Sequence, residues 1–118
     1  MSIGTTPENI WIFPGLTINH DSYKVLIGEK EVPLTRKEYE LLFYMAKSQG
    51  TVFTREDILL NVWEYGSSGY VRTVDTYIKR LRNKLYKVSS HVASYIITVW
   101  GVGYKFDIPS STSLAEVL

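Results

Sequence analysis

The sequence predicts an α+β domain with an N-terminal four-stranded antiparallel sheet, a three-helix core and a closing C-terminal β-hairpin. Three observations predict it. Residues 10–34 break into short runs of strand-forming residues separated by turn chemistry. Residues 35–88 carry three apolar patterns of helical period. Residues 95–106 alternate around Gly101 and Gly103, as a tight hairpin does.

In order, Ile10 to Phe13, Leu16 to Asn19, Tyr23 to Ile27 and Glu31 to Leu34 are expected strands. Pro14-Gly15, His20-Asp21-Ser22 and Gly28-Glu29 separate them, residues suited to turns through fixed or positive φ. Thr35 and Glu38 have capping-box spacing, with Pro33 just upstream, so a helix opens there. Tyr39, Leu42, Phe43 and Ala46 form its apolar face, and Gly50 follows its end. A short strand at Thr51 to Phe53 leads to a second helix capped by Thr54, with Asp57 three residues on. Ile58, Leu59, Val62 and Trp63 are its inward side. Glu64, Tyr65, Gly66, Ser67, Ser68 and Gly69 link it to a third helix over 71–88, whose start has no good capping residue. Tyr95 to Trp100 and Val102 to Phe106 make the hairpin. Three helices followed by a hairpin is the winged variant of helix-turn-helix, whose third helix enters a DNA major groove.

The chain has 118 residues, enough for one domain with one core. Residues 1–9 read as a leader or linker, 10–107 as the domain and 108–118 as a flexible tail. A hydrophobic content of 45% with three Trp fits a compact globule rather than a disordered segment. No apolar run approaches membrane-spanning length, and the start lacks a secretory pattern. Without Cys there are no disulfides or thiolate metal sites, which fits a reducing cytosol.

The formal net charge of +1 conceals an asymmetry. Residues 71–105 hold Arg72, Lys79, Arg80, Arg82, Lys84, Lys87 and Lys105 against Asp75 alone, a net of +6, while the rest of the chain carries a net of −5. Such polarity orients a molecule basic end first toward phosphate.

Within the third helix, 100° per residue places Val74, Ile78, Leu81 and Leu85 on one stripe. Arg72, Thr73, Thr76, Arg80 and Asn83 lie nearly opposite, with Lys79 and Lys84 at the flanks. A solvated face on an ordinary surface helix is the simpler alternative. Against it stand the single sign of charge, apart from Asp75, and the hydrogen-bonding Thr, Tyr and Asn groups among the cations.

Leu34-Thr-x-x-Glu38, Leu41-Leu42, Gly50, Thr54-Arg-Glu56, Val62-Trp63, Arg72-Thr-Val-Asp75, Ile78, Arg80-Leu-Arg82, Lys84-Leu85, Thr98-Val99, Gly101 and Gly103-Tyr104 together resemble the OmpR/PhoB family over roughly residues 10–107. These are C-terminal effector domains of bacterial two-component response regulators. The resemblance implies binding to double-stranded promoter DNA, as a head-to-tail pair on direct repeats. It implies contact with RNA polymerase through the loop Glu64 to Gly69, and a phosphorylatable receiver domain upstream that is absent from this chain. The nearest functional rival is the same domain fused to a membrane-spanning sensor. A rival of another class is a winged helix docked on an acidic protein.

By the same resemblance, Thr73, Thr76, Tyr77 and Arg80 face base edges. Arg80 suits bidentate reading of guanine O6 and N7, and Thr73 or Thr76 a thymine methyl. Tyr77 reaches a base or phosphate, or shields the helix flank. Arg72, Lys79, Arg82, Lys84, Thr98 and Tyr104 are the phosphate set, together with Trp63 through its indole N–H. Structural alternatives stay open: Arg82 pairing with Asp75, Trp63 packing in the core, Tyr104 packing the hairpin. With five to seven phosphate contacts, log affinity falls against log salt with a slope of about −5 to −6. Lys105 is a wing residue that alternates with Tyr104, at the DNA or merely solvated. Trp100 departs from the Arg that many relatives place there to probe the minor groove. It stacks on a sugar, inserts partially, or folds back onto the hairpin.

Nothing points to catalysis or a cofactor. His20 and His91 are isolated, with no nucleophile at a meaningful spacing. Gly101-Val-Gly103 is followed by no helix and is not a phosphate loop. No cluster suggests metal.

Overall fold

The computed structural model describes residues 9–63 and 70–109; the expected leader up to residue 8, the loop Glu64 to Gly69 and the tail from residue 110 lie outside the described residues. The first sheet has the order β1 (Ile10–Phe13), β2 (Leu16–Asn19), β3 (Lys24–Ile27), β4 (Lys30–Glu31), every pair antiparallel. Alternation of side chains puts Leu16, Ile18 and Val25 wholly inside while Ile12 faces out. Phe13 lies opposite Leu16, so Pro14 and Gly15 alone make the first turn, with Gly15 at φ +76°.

Two strand boundaries differ from expectation. Tyr23 has φ +55° and belongs to the turn, so β3 begins one residue later. The fourth strand is Lys30–Glu31 rather than Glu31 to Leu34. Val32 still donates its N–H to Val25, but Pro33 has none to give and the ladder stops.

Helix α1 (Arg36–Ala46) opens with the expected reciprocal cap. The Glu38 N–H donates to Thr35 Oγ1, and the Thr35 N–H donates to Glu38 Oε1 at 2.9 Å. Its inward face is wider than expected: Leu41 and Met45 are buried with Tyr39, Leu42 and Ala46, and Phe43 only partly. The sheet meets one side of α1, where Trp11 packs edge-on against Phe43, and the other helices meet the rest.

Helix α2 (Arg55–Trp63) carries the second reciprocal cap, between Thr54 and Asp57. Helix α3 (Val71–Tyr86) starts after Tyr70, which makes no side-chain cap, and ends two residues before the expected limit. The four-residue helix α4 (Ser90–Ala93), capped by Ser89 on the Val92 N–H, was not expected; it is too short to show a period.

The closing strands β6 (Ile96–Val99) and β7 (Gly103–Phe106) form the expected hairpin. They do not stand alone. The strand before α2, expected at Thr51 to Phe53, is β5 (Phe53–Thr54), and it pairs with β7 to give a second sheet of order β5-β7-β6. Gly103 permits this pairing: a Cβ there would sit 2.0 Å from the Phe53 carbonyl oxygen. Phe106 then packs edge-on against Phe13 and Tyr95, and the Tyr95 hydroxyl donates to the Pro14 carbonyl at 2.6 Å, joining the two sheets.

Candidate nucleic-acid interface

Helix α3 is amphipathic as its spacing predicts. Val74, Ile78, Leu81 and Leu85 are almost fully buried, whereas Arg72, Thr76, Lys79, Arg80 and Asn83 are exposed. Thr73 is half-buried. The Thr76 hydroxyl donates back to the Arg72 carbonyl at 3.2 Å.

Among the described residues, three polar contacts fasten α3 to its surroundings. Near its start, Asp75 accepts from Arg55 Nε at 2.8 Å and from the Tyr104 hydroxyl, tying α2, α3 and β7 at one carboxylate. Burial and then the Asp75 bond push the Tyr104 hydroxyl above its usual range. Farther along, Arg82 donates through Nε and Nη2 to the Ile96 carbonyl, both at 3.1 Å, and through Nη2 to Thr98 Oγ1 at 2.6 Å. Burial pulls this guanidinium below its ordinary value. Beyond it, Lys84 Nζ lies 2.6 Å from Glu38 Oε1, the one buried charged residue among the described residues. Burial raises the Glu38 carboxyl, but the bonds from Lys84 and Thr35 outweigh it and hold the group below the ordinary carboxylate value.

An aromatic bracket orients Arg80. Trp63, at the end of α2, meets Tyr77 edge-on at 5.0 Å, and the Arg80 guanidinium lies 4.9 Å over the Tyr77 ring. Lys37 approaches the other end, with Nζ 5.8 Å from the Trp63 ring and a 3.0 Å bond to the Val62 carbonyl. That bond satisfies a carbonyl at the C-terminal end of α2.

These placements divide the expected site. Arg72, Thr76, Lys79 and Arg80 share one open face, with Tyr77 at its edge. Four members of the expected phosphate set are engaged within the protein. The Lys84 ammonium is held by Glu38, Tyr104 is buried with its hydroxyl on Asp75, and Thr98 accepts from Arg82. Arg82 itself pairs with the wing rather than with Asp75, the alternative open from sequence. Trp63 is half-buried against Tyr77, and Lys105 sits 3.7 Å from Asp107. The loop Glu64 to Gly69 lies outside the described residues. Trp100 does not fold back, being 88% exposed at the hairpin tip.

Sequence reasoning missed Glu38, Arg55 and Lys37 as supports. Glu38 carried a signal: Leu41, Leu42 and Met45 stand three, four and seven residues on, which puts the acid on a buried stripe. Its capping role explained it too readily. Asp75, the one acid in a basic helix, also called for an internal partner, though nothing local named Arg55. Among the described residues, no three His, Asp or Glu gather as metal ligands, and no helix is long and apolar enough to cross a membrane.

This sheet–helix–wing arrangement defines a winged-helix effector domain. The family described as "Transcriptional regulatory protein, C terminal" matches residues 29–106, and the chain belongs to it. It is 51% identical over 104 residues to the transcriptional regulatory protein ResD of Bacillus subtilis, covering 88% of this chain and 43% of ResD. The chain thus spans less than half of that relative. Among solved structures it is similar to the OmpR/PhoB homologue DrrB of Thermotoga maritima, a response regulator, at 36% identity and TM-score 0.74, over 84% of this chain and 44% of DrrB. It is also similar to the DNA-binding domain of Klebsiella pneumoniae RstA in complex with the RstA box, at 30% identity and TM-score 0.73, over 85% of this chain and 98% of that one.

Proposed function

We propose that this domain binds double-stranded promoter DNA sequence-specifically, with α3 in the major groove and the β6–β7 wing at the backbone and minor groove. The observation that carries the reading is the open face of α3: Arg72, Thr76, Lys79 and Arg80 are directed to solvent by a buried stripe on the opposite side. The RstA domain, solved with its box, shares this fold and supports the reading. Arg80 reads a guanine, Thr76 lies against a neighbouring base, and Arg72 and Lys79 hold phosphates. Tyr77 and Trp63 orient Arg80, while Arg82, Lys84, Thr98 and Tyr104 position α3 and the wing.

The domain acts by binding rather than catalysis, as the output unit (residues 10–107) of a cytoplasmic response regulator. A receiver domain upstream governs it, two copies sit head to tail on direct repeats, and the loop Glu64 to Gly69 meets RNA polymerase.

Selection from a random duplex pool supplies the site, and titration of Arg80→Ala on the selected duplex tests the assignment. Affinity is expected to fall by about 1–3 kcal/mol, with preference relaxed at one base position. Equal loss on all sequences makes Arg80 a phosphate ligand instead. Failure of the unaltered domain to prefer any duplex overturns the whole reading.

The internal engagement of Lys84 and Arg82 also lowers the expected salt dependence. Four exposed cations remain on or beside the face, Arg72, Lys79, Arg80 and Lys87. With Arg80 on a base edge, the other three place the slope of log affinity against log salt at about −3 per domain, not the steeper value expected from sequence. A slope at or beyond about −5 in a salt titration means that the internal pairs open on binding.

A further inference from the structure

We infer that Trp100 and Val102 form an apolar foot on the wing that presses against deoxyribose along the minor groove, adding affinity without reading base identity. The inference rests on the DNA-binding reading above and assigns the wing its part in it.

The foot is built by the turn. Val102 N–H donates to the Val99 carbonyl at 2.9 Å, and Gly101 between them has φ +82°. This is a β-turn with a left-handed third residue, which leaves Trp100 at the outer corner. Trp100 is 88% exposed and Val102 49%. The other two indoles are half-buried and each lies edge-on to an aromatic ring, Trp11 on Phe43 and Trp63 on Tyr77. Trp100 alone among the three is presented to solvent.

Its position follows from the Arg82 contact. Arg82 fixes Ile96 and Thr98 to the flank of α3, and Tyr104 fixes the other strand through Asp75. Trp100 follows Val99, the last residue of β6, on the tip of the hairpin that these contacts hold to α3. The tip from Val99 to Gly103 carries no charge, and Lys105, the nearest cation in sequence, sits beside Asp107. An uncharged tip releases no counterions, and it has little with which to address base-edge acceptors. It matches the C–H faces of sugars, which every base pair presents alike. The indole is also bulky for a groove about 6 Å wide, which favours contact at the sugar wall over the groove floor.

The test compares the unaltered domain, Trp100→Ala and Trp100→Arg on the selected duplex in two versions, A·T-rich or G·C-rich where the wing falls. Trp100→Ala is expected to weaken binding about tenfold through lost burial of apolar surface, equally on both duplexes, with an unchanged salt slope. Trp100→Arg is expected to recover affinity, steepen the slope by about 1 and acquire preference for the A·T-rich duplex. Thermal unfolding of the variants checks that an exposed position has left the fold intact. Unchanged affinity in Trp100→Ala overturns the foot while leaving the DNA-binding reading in place. Loss confined to one duplex overturns sugar contact in favour of insertion between bases. Absence of duplex binding by the unaltered domain overturns both readings.

Discussion

Gly103→Ala is expected to lower folding stability by at least about 3 kcal/mol, seen as a fall in thermal midpoint on the order of 15 °C. The added methyl would stand 2.0 Å from the Phe53 carbonyl oxygen and 2.9 Å from Thr54 Cα, and both are backbone atoms that no rotamer change can move. Relief requires β5 to separate from β7, which also disturbs the Thr54 cap of α2. Gly101→Ala makes the informative contrast. Its Cβ would meet nothing within 4 Å, and only its φ of +82° opposes the change. The expected cost there is about 1–2 kcal/mol. Equal midpoints for the two variants would show that the close approach at Gly103 does not govern stability.

Lys84→Met is expected to destabilise the domain by about 2–3 kcal/mol at neutral pH, because it leaves Glu38 charged and buried without its cation. Partial exposure of Lys84 keeps the figure below that of a fully buried broken pair. The pH dependence has a definite sign. The Glu38 carboxyl is held below 4.5 in the folded protein, so its contribution is present above that value and lost as pH falls through the folded-state value. In the variant, burial without the lysine raises the same carboxyl, which takes up a proton at higher pH and relieves the penalty. Urea titrations across the acid range should therefore show the difference between variant and parent shrinking on acidification. A difference independent of pH would place the cost in lost packing of the lysine stem rather than in the charge pair.

The elements were legible where local chemistry determines them. Both reciprocal caps, Thr35 with Glu38 and Thr54 with Asp57, form at the expected positions. The inward stripe of α3 is the expected set of four residues. What was not legible depends on partners distant in sequence. A two-residue strand such as β5 has no pattern of its own and exists because β7 lies beside it. Gly103 reads locally as turn punctuation, yet its role is to let a strand fifty residues upstream approach.

The candidate site divides in the same way. Lys79 and Lys84 are both flank lysines on a helical projection, but only Lys84 lies under α1, where Glu38 waits for it. Tyr104 matched a phosphate-touching position by type, whereas its hydroxyl is taken by an acid twenty-nine residues earlier. Residue type and spacing thus anticipated which side of α3 is open, but not which of the named side chains have partners within the protein.

Arg82 clamps one wing strand to α3 while Asp75 clamps the other. Doubly fastened, helix and wing have little freedom to alter their separation when a duplex arrives. Whatever mismatch exists between that separation and the width of the adjoining groove must be absorbed by the nucleic acid. On the DNA-binding reading, compliant base-pair steps are expected to bind better than stiff ones at positions no side chain touches, which makes elasticity part of the address.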